Sequence, residues 1–195
     1  VYKRQQLAAL KEQGVTLALA GTLGVAQQAM EQGFTVWGDY GLGVYNSQSL
    51  KELKRLGFAG ATASFELKLA QIRDLSKAVP MELIAYGRLP LMITENCLIE
   101  NAGACRCDQP NFLNDRTGAA FPLLAAYGHR TEIQNSKALW LADRPDYKRL
   151  GLSYARLRFT TESPAECVAA LQRYQGLGDY IPADLTRGLF YRGVE

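Results

Sequence analysis

The chain has 195 residues, 48% hydrophobic and 21% charged, with a net charge of +3 and four cysteines. This length and balance suit one ordinary globular core, while four cysteines are too few for a disulfide scaffold and no apolar run reaches the roughly 20 residues of a membrane helix. The N-terminus has neither a signal sequence nor a transit segment, so a soluble, cytoplasmic protein without a membrane partner is expected; the small positive charge permits a nucleic-acid partner without demanding one.

The chain begins at Val1 in helix-like sequence with no leading strand, which predicts a fragment of a longer protein. An amphipathic helix over Lys3 to Gln13 stops at Gly14, the usual left-handed C-terminal position. Val15 to Ala20 read as a buried strand, and Leu23 to Glu31 as a helix capped by Thr22 and ended by Gly33. Phe34 to Trp37 form the next strand. The polar, glycine-containing stretch Gly38 to Asn46 follows, with Ser47 and Ser49 as caps for a helix over Leu50 to Leu56. Gly57 ends it, Phe58 to Ala63 give a third strand, Ser64 caps a helix over Glu66 to Ser76, and Met81 to Tyr86 give a fourth strand.

The recurring order of helix, glycine and strand implies parallel pairing with right-handed crossovers. A barrel or a doubly wound sheet would both fit this order; polar residues recurring just past each strand, where the active face of a (β/α) barrel is built, favour the barrel. The expected fold class is therefore α/β, with about half of a TIM-like barrel over residues 1–96. A cysteine-containing loop and a small α+β extension of the same domain follow over 97–195. In that extension Leu113 to Gly118 read as a hairpin turn, Lys137 to Leu141 and Arg156 to Thr160 as strands, and Ser163-Pro164-Ala165-Glu166 as a capping box opening a helix to Tyr174. Cys167 lies among apolar residues of that helix and reads as a packed thiol. The tail from Gly176 to Glu195 reads as an ordered extension covering a site, with a frayed terminus as the alternative.

Three cysteines fall together in the polar stretch from Tyr86 to Cys107. A cysteine used for packing behaves as a small hydrophobe, whereas Cys97, Cys105 and Cys107 stand among Glu, Asn, Gly, Arg and Asp. Their Cys-x7-Cys-x-Cys spacing around Gly103 allows three thiolates to converge on one centre, and thiolates suit zinc or an iron–sulfur cluster. His129, the only histidine, is the candidate fourth ligand, because imidazole replaces thiolate on iron in Rieske centres. Unligated thiols are the remaining alternative.

A second constellation stands at the strand exits: Asp39, Tyr40 and Asn46, then Ser64 and Glu66, then Tyr86 and Arg88. Gathered at one mouth they would supply carboxylates for acid–base work, an arginine for an anionic group and tyrosines for hydrogen bonding. Arg88, which leads into the cysteine stretch, is the strongest single candidate, with Glu66, Asp39 and Tyr86 beside it. There is no Gly-x-Ser-x-Gly elbow, no His-Glu-x-x-His and no P-loop, which argues against hydrolase and nucleotide-binding sites of those types.

Several stretches together resemble one family. They are Asp39-Tyr40-Gly41-Leu42, Tyr45-Asn46-Ser47, Ser64-Phe65-Glu66-Leu67, Tyr86-Gly87-Arg88-Leu89-Pro90-Leu91-Met92, Asn96-Cys97, Leu113-Asn114-Asp115-Arg116, Arg130-x-Glu132-x-x-Asn135-Ser136 and Thr186-Arg187-Gly188. The combination is similar to the C-terminal half of the barrel, and its continuation, in the collagenase-like peptidase family of unassigned catalytic type (peptidase family U, thirty-two). The resemblance implies that the N-terminal half of the barrel lies outside this chain. The family name implies proteolysis. Members resembling this chain instead take part in oxygen-independent hydroxylation of ribosomal-RNA cytidine, transfer-RNA uridine or ubiquinone precursors, with a four-iron four-sulfur cluster on four cysteines and prephenate as oxygen source. Ribosomal or transfer RNA and a small anionic cosubstrate are the partners so implied. The family pattern puts a cysteine between Gly128 and Arg130, where this chain has His129. The expectation is an iron–sulfur-dependent RNA hydroxylation protein, with a collagenase-like peptidase or a zinc-binding scaffold as alternatives.

Overall fold

The computed structural model describes residues 2–101, 103 and 106–193. It is a mixed α/β structure with a parallel-containing sheet and a second, antiparallel sheet. The chain forms two compact units that interleave in sequence: residues 1–84, 144–156 and 188–195 in the first, 85–143 and 157–187 in the second. Among the described residues no helix is long and apolar enough to cross a membrane.

The first unit alternates helices and strands: α1 (Tyr2–Glu12), β1 (Leu17–Ala20), α2 (Leu23–Glu31), β2 (Thr35–Gly38), α3 (Ser47–Arg55), β3 (Gly60–Thr62), α4 (Leu69–Asp74) and the start of β4 (Met81–Gly87). Strands β1, β2, β3 and β4 pair in that order, all parallel. Side chains alternate across a strand, so the register sorts the residues cleanly. Ala20, Val36, Ala61, Met81 and Leu83 are buried, as are Ala26 and Ala29 of α2, Leu50 and Leu53 of α3, and Ile72 of α4. Each fully buried leucine or isoleucine contributes about 2 kcal/mol relative to exposure. The other set is Leu17, Leu19, Trp37, Gly60, Thr62 and Glu82.

Two helix starts differ from expectation. Asn46, not Ser47 or Ser49, caps α3: its side-chain oxygen accepts from Ser49 N at 2.9 Å, so both serines lie inside the helix. Helix α4 begins only at Leu69. Ser64 instead accepts from Glu66 N at 3.2 Å and holds a turn, and Leu69 N donates to Phe190 O at 2.9 Å.

The second unit holds the rest of β4, then β5 (Pro90–Thr94), α5 (Leu98–Asn101), β6 (Asn111–Asn114), β7 (Ala120–Ala126), β8 (Arg130–Gln134) and β9 (Ala138–Trp140). The end of β10 (Tyr154–Leu157), then α6 (Pro164–Tyr174) and β11 (Leu185–Thr186) complete it. Tyr86 and Gly87 pair antiparallel with Trp140 and Leu139, and β9 pairs parallel with β11, so part of the tail is a sheet strand. The antiparallel sheet runs β5-β8-β7-β6. Strand β5 lies where a polar loop was expected, with Leu91, Met92 and Ile93 all exposed. The strand expected over Arg156 to Thr160 begins two residues earlier and ends at Leu157.

Helix α6 follows its sequence signature, with Pro164 first and Ser163 and Glu166 in reciprocal capping bonds. Its last residue is a tie. Tyr174 Oη donates to Ala85 O at 2.6 Å and accepts from Leu141 N at 2.9 Å, while its ring meets Trp140 edge-on at 5.3 Å. Cys167, on the same helix, is only half-buried, next to exposed Val168 and Leu171, so its packing is looser than its sequence neighbourhood implied.

Gly87 is the tightest point of the second unit. Its φ is +118°, and a Cβ there would overlap the Arg158 carbonyl. Gly118 also has a positive φ, +83°, with open space around it. Gly87→Ala should therefore cost about 3 kcal/mol or more, from backbone strain together with the overlap. Gly118→Ala should cost about 1 kcal/mol, from backbone strain alone. Urea unfolding of the two variants checks the difference.

Candidate functional site

The cysteine site is built on the antiparallel sheet. Cys97 precedes α5, and Cys107 lies in the turn before β6; their Sγ atoms are 3.9 Å apart. Leu98 N donates to Thr131 Oγ1 at 3.0 Å, which fastens the segment after Cys97 to β8. Cys97 is 6% exposed and packs in a cluster with Ile99, Leu123 and Ile133, so a thiol read from its polar neighbours as a pure ligand also belongs to the apolar core. Its thiol lies below the ordinary range, first because Glu100 N donates to its sulfur at 3.4 Å, and also because of the Cys107 thiol, with burial opposing both.

His129 lies between β7 and β8 with a left-handed φ of 58°. It lines a cavity of about 280 Å³ together with Cys97, Cys107, Ala125, Gly128 and Arg130. Cys105 lies outside the described residues. Among the described residues no three His, Cys, Asp or Glu side chains converge closely enough to hold a metal. Two do converge in chemistry and distance: thiolates on one tetrahedral metal with bonds of about 2.3 Å stand about 3.8 Å apart, which the Cys97–Cys107 separation of 3.9 Å matches.

The strand-exit candidates divide between the units. Asp39 and Glu66 belong to the first, Tyr86 and Arg88 to the second. Asp39 accepts from Tyr40 N and from Arg156 Nη1, both at 2.8 Å. Glu66 accepts from the Tyr45 hydroxyl, and this bond raises the tyrosine's pKa. Tyr86 is buried among Trp140, Phe159 and Tyr174, with ring centroids 5.7, 5.3 and 6.3 Å away. Burial, then the charge of Glu162 and hydrogen bonding to Tyr180, hold its phenol protonated far above the ordinary tyrosine range. Arg88 donates through Nη1 to the carbonyls of Asn135, at 3.1 Å, and Ser136, and through Nε to Thr161 Oγ1 at 3.3 Å. It straps the start of β5 to the turn after β8.

Sequence reasoning missed the partners of Asp39. Arg156 Nη2 donates to Thr62 Oγ1 at 2.9 Å and to Glu82 Oε1, and Thr62 donates to the same Glu82 oxygen at 2.6 Å. The one signal for this group was Glu82 itself, a charge inside the otherwise apolar run Met-Glu-Leu-Ile-Ala. A similar group holds the second unit: Arg158 reaches Gln134 and the Arg88 carbonyl at 2.7 Å and Glu132 at 2.8 Å.

Comparison of the chain with protein-family models, curated proteins and solved structures gives no match.

Two outcomes test this geometry. Arg156→Met strips Asp39 and Glu82, side chains only 20% and 13% exposed, of their shared cation. It should lower the unfolding free energy by about 3 kcal/mol in urea titrations, because an uncompensated buried charge remains. The lowered Cys97 thiol binds its proton less readily in the folded chain, so its stabilising contribution is present above the ordinary thiol value and lost as pH falls through the folded one. The ultraviolet thiolate difference spectrum between the protein and Cys97→Ser should titrate below the ordinary thiol range, and Cys107→Ala, which removes the neighbouring donor, should move that midpoint upward.

Proposed function

We propose that this chain is the cysteine-bearing half of a partial (β/α) barrel protein that uses a thiolate-held iron–sulfur cluster in oxygen-independent hydroxylation of RNA. One observation carries the reading: Cys97 and Cys107, ten residues apart in sequence, line one cavity together with His129. The four parallel strands β1 to β4 alternating with helices support the barrel part.

Cys97 and Cys107 would hold the group, with Cys105 and His129 as the remaining ligands. A bound cluster supplies electron transfer at this place. The chain's own residues do the rest: the Glu100 N–H favours the thiolate of Cys97, and Ile99, Leu123 and Ile133 keep water from one side of it. Arg88 commits Nη1 and Nε to the protein. Its Nη2 is the donor this reading assigns to a small anionic cosubstrate such as prephenate.

The match of the sulfur separation to a single tetrahedral ion favours a second reading, a zinc-binding scaffold module. Anaerobic purification followed by visible absorption and determination of iron, acid-labile sulfide and zinc separates the two. The iron–sulfur reading expects a coloured protein that loses iron and sulfide together in Cys97→Ser and in Cys107→Ser. A colourless protein with one zinc per chain would establish the scaffold reading instead, and a metal-free protein would overturn both.

A further inference from the structure

The exposed face of the first unit's parallel strands holds a cavity of about 460 Å³ lined by Leu17, Leu19, Trp37, Glu82, Tyr154 and Arg156. Its size falls within the roughly 300–1,000 Å³ of small-molecule sites. The walls are apolar. Leu17 and Leu19 are 57% and 49% exposed, and Tyr154 meets Trp37 edge-on with centroids 5.4 Å apart. The indole lies across Gly60, where a Cβ would come within 2.5 Å of it, so the ring is seated on backbone.

Among the described residues two charged side chains line this cavity, Glu82 and Arg156, and the ion group to which they belong is not balanced. Arg156 is bonded to two carboxylates, Asp39 and Glu82, so the trio carries one negative charge in excess. Asp39 is not a lining residue; it accepts from Arg156 Nη1 and offsets the arginine's charge. Glu82 does line the cavity. Both of its hydrogen bonds, from Thr62 and from Arg156, fall on Oε1, and Oε2 accepts none among the described residues. The site therefore presents aromatic and leucine walls with a carboxylate oxygen ready for a donor, under a net negative charge. That combination selects a flat ring with a cationic or N–H-rich substituent and disfavours an anionic one.

We propose that this cavity binds a planar aromatic ligand carrying an amidine or amino group, its ring against Trp37 and its N–H donors on Glu82. The proposal does not depend on the cysteine site or on any metal; it concerns the chain as it stands, since in the half-barrel reading this strand face is the one a second half would meet.

Three isosteres that differ only in charge and donors test it: benzamidine, benzamide and benzoate, titrated at up to millimolar concentration into the whole chain and followed by tryptophan fluorescence and thermal unfolding. Benzamidine should quench the fluorescence and raise the midpoint, binding at least about ten-fold tighter than benzamide, since a charge-assisted hydrogen bond exceeds a neutral one by that order. Benzoate should give no response. Glu82→Gln should remove the preference for benzamidine over benzamide. Leu19→Trp, which narrows the exposed wall and leaves the ion group untouched, should weaken benzamidine about ten-fold or more by filling the space a small ring needs. Benzoate binding as well as benzamidine would overturn the proposal, as would benzamidine binding unaffected by either variant. No response to any of the three would overturn it as well.

Discussion

The constraint on which the rest depends is the burial of β4. Six of its seven residues are buried and Glu82 alone is partly exposed, so its backbone groups have little water to bond and must find partners within the protein. In the first unit β3 takes one edge through Ala61 and Thr62, and Ser153 N donates to Met81 O at 2.8 Å. In the second, Trp140 and Leu139 pair with Tyr86 and Gly87, and Arg158 N donates to Tyr86 O at 2.9 Å. A side chain at position 87 would collide with the carbonyl of the same Arg158 that supplies this last bond.

The same requirement explains the arginines. Arg156 and Arg158 stand two positions apart, and each sits where partly buried carboxylates and other acceptors need a cation. Arg156 meets Asp39, Thr62 and Glu82; Arg158 meets Glu132, Gln134 and the Arg88 carbonyl. Their side chains are 20% and 18% exposed, so neither is an ordinary surface charge. A planar guanidinium with five donors can satisfy several acceptors at once, which a lysine cannot.

What the sequence disclosed was mostly local. Helix α2 and the start of α6 were legible to the residue because Thr22, Gly33 and the Ser163–Glu166 box write those ends in neighbouring positions. The parallel pairing of β1 to β4 followed from the alternation of elements. Asn46 lost out to two serines as a cap, since three cap-forming residues within four positions cannot be ranked without the backbone. Strand β5 was hidden by the polar residues that follow it, and the short α4 by a helical pattern longer than the helix. The ion group was out of reach for a different reason: Asp39 and Arg156 are 117 residues apart, and no period links them. Cys97 shows a further limit, because its sequence neighbours are polar while its spatial neighbours are Ile99, Leu123 and Ile133.

Strand β5 has one more consequence. It is a terminal strand of the antiparallel sheet and pairs there only with β8, so one row of its backbone groups has no partner within that sheet. Leu91, Met92 and Ile93 on it are 55%, 56% and 58% exposed. An apolar strand edge without a guarding charge or proline in its middle is a template on which another chain can lay a strand. The segment that carries the chain into its cysteine site is thus also where concentrated protein would begin to associate, edge to edge, and a lysine in place of Met92 would blunt that edge without touching a sulfur.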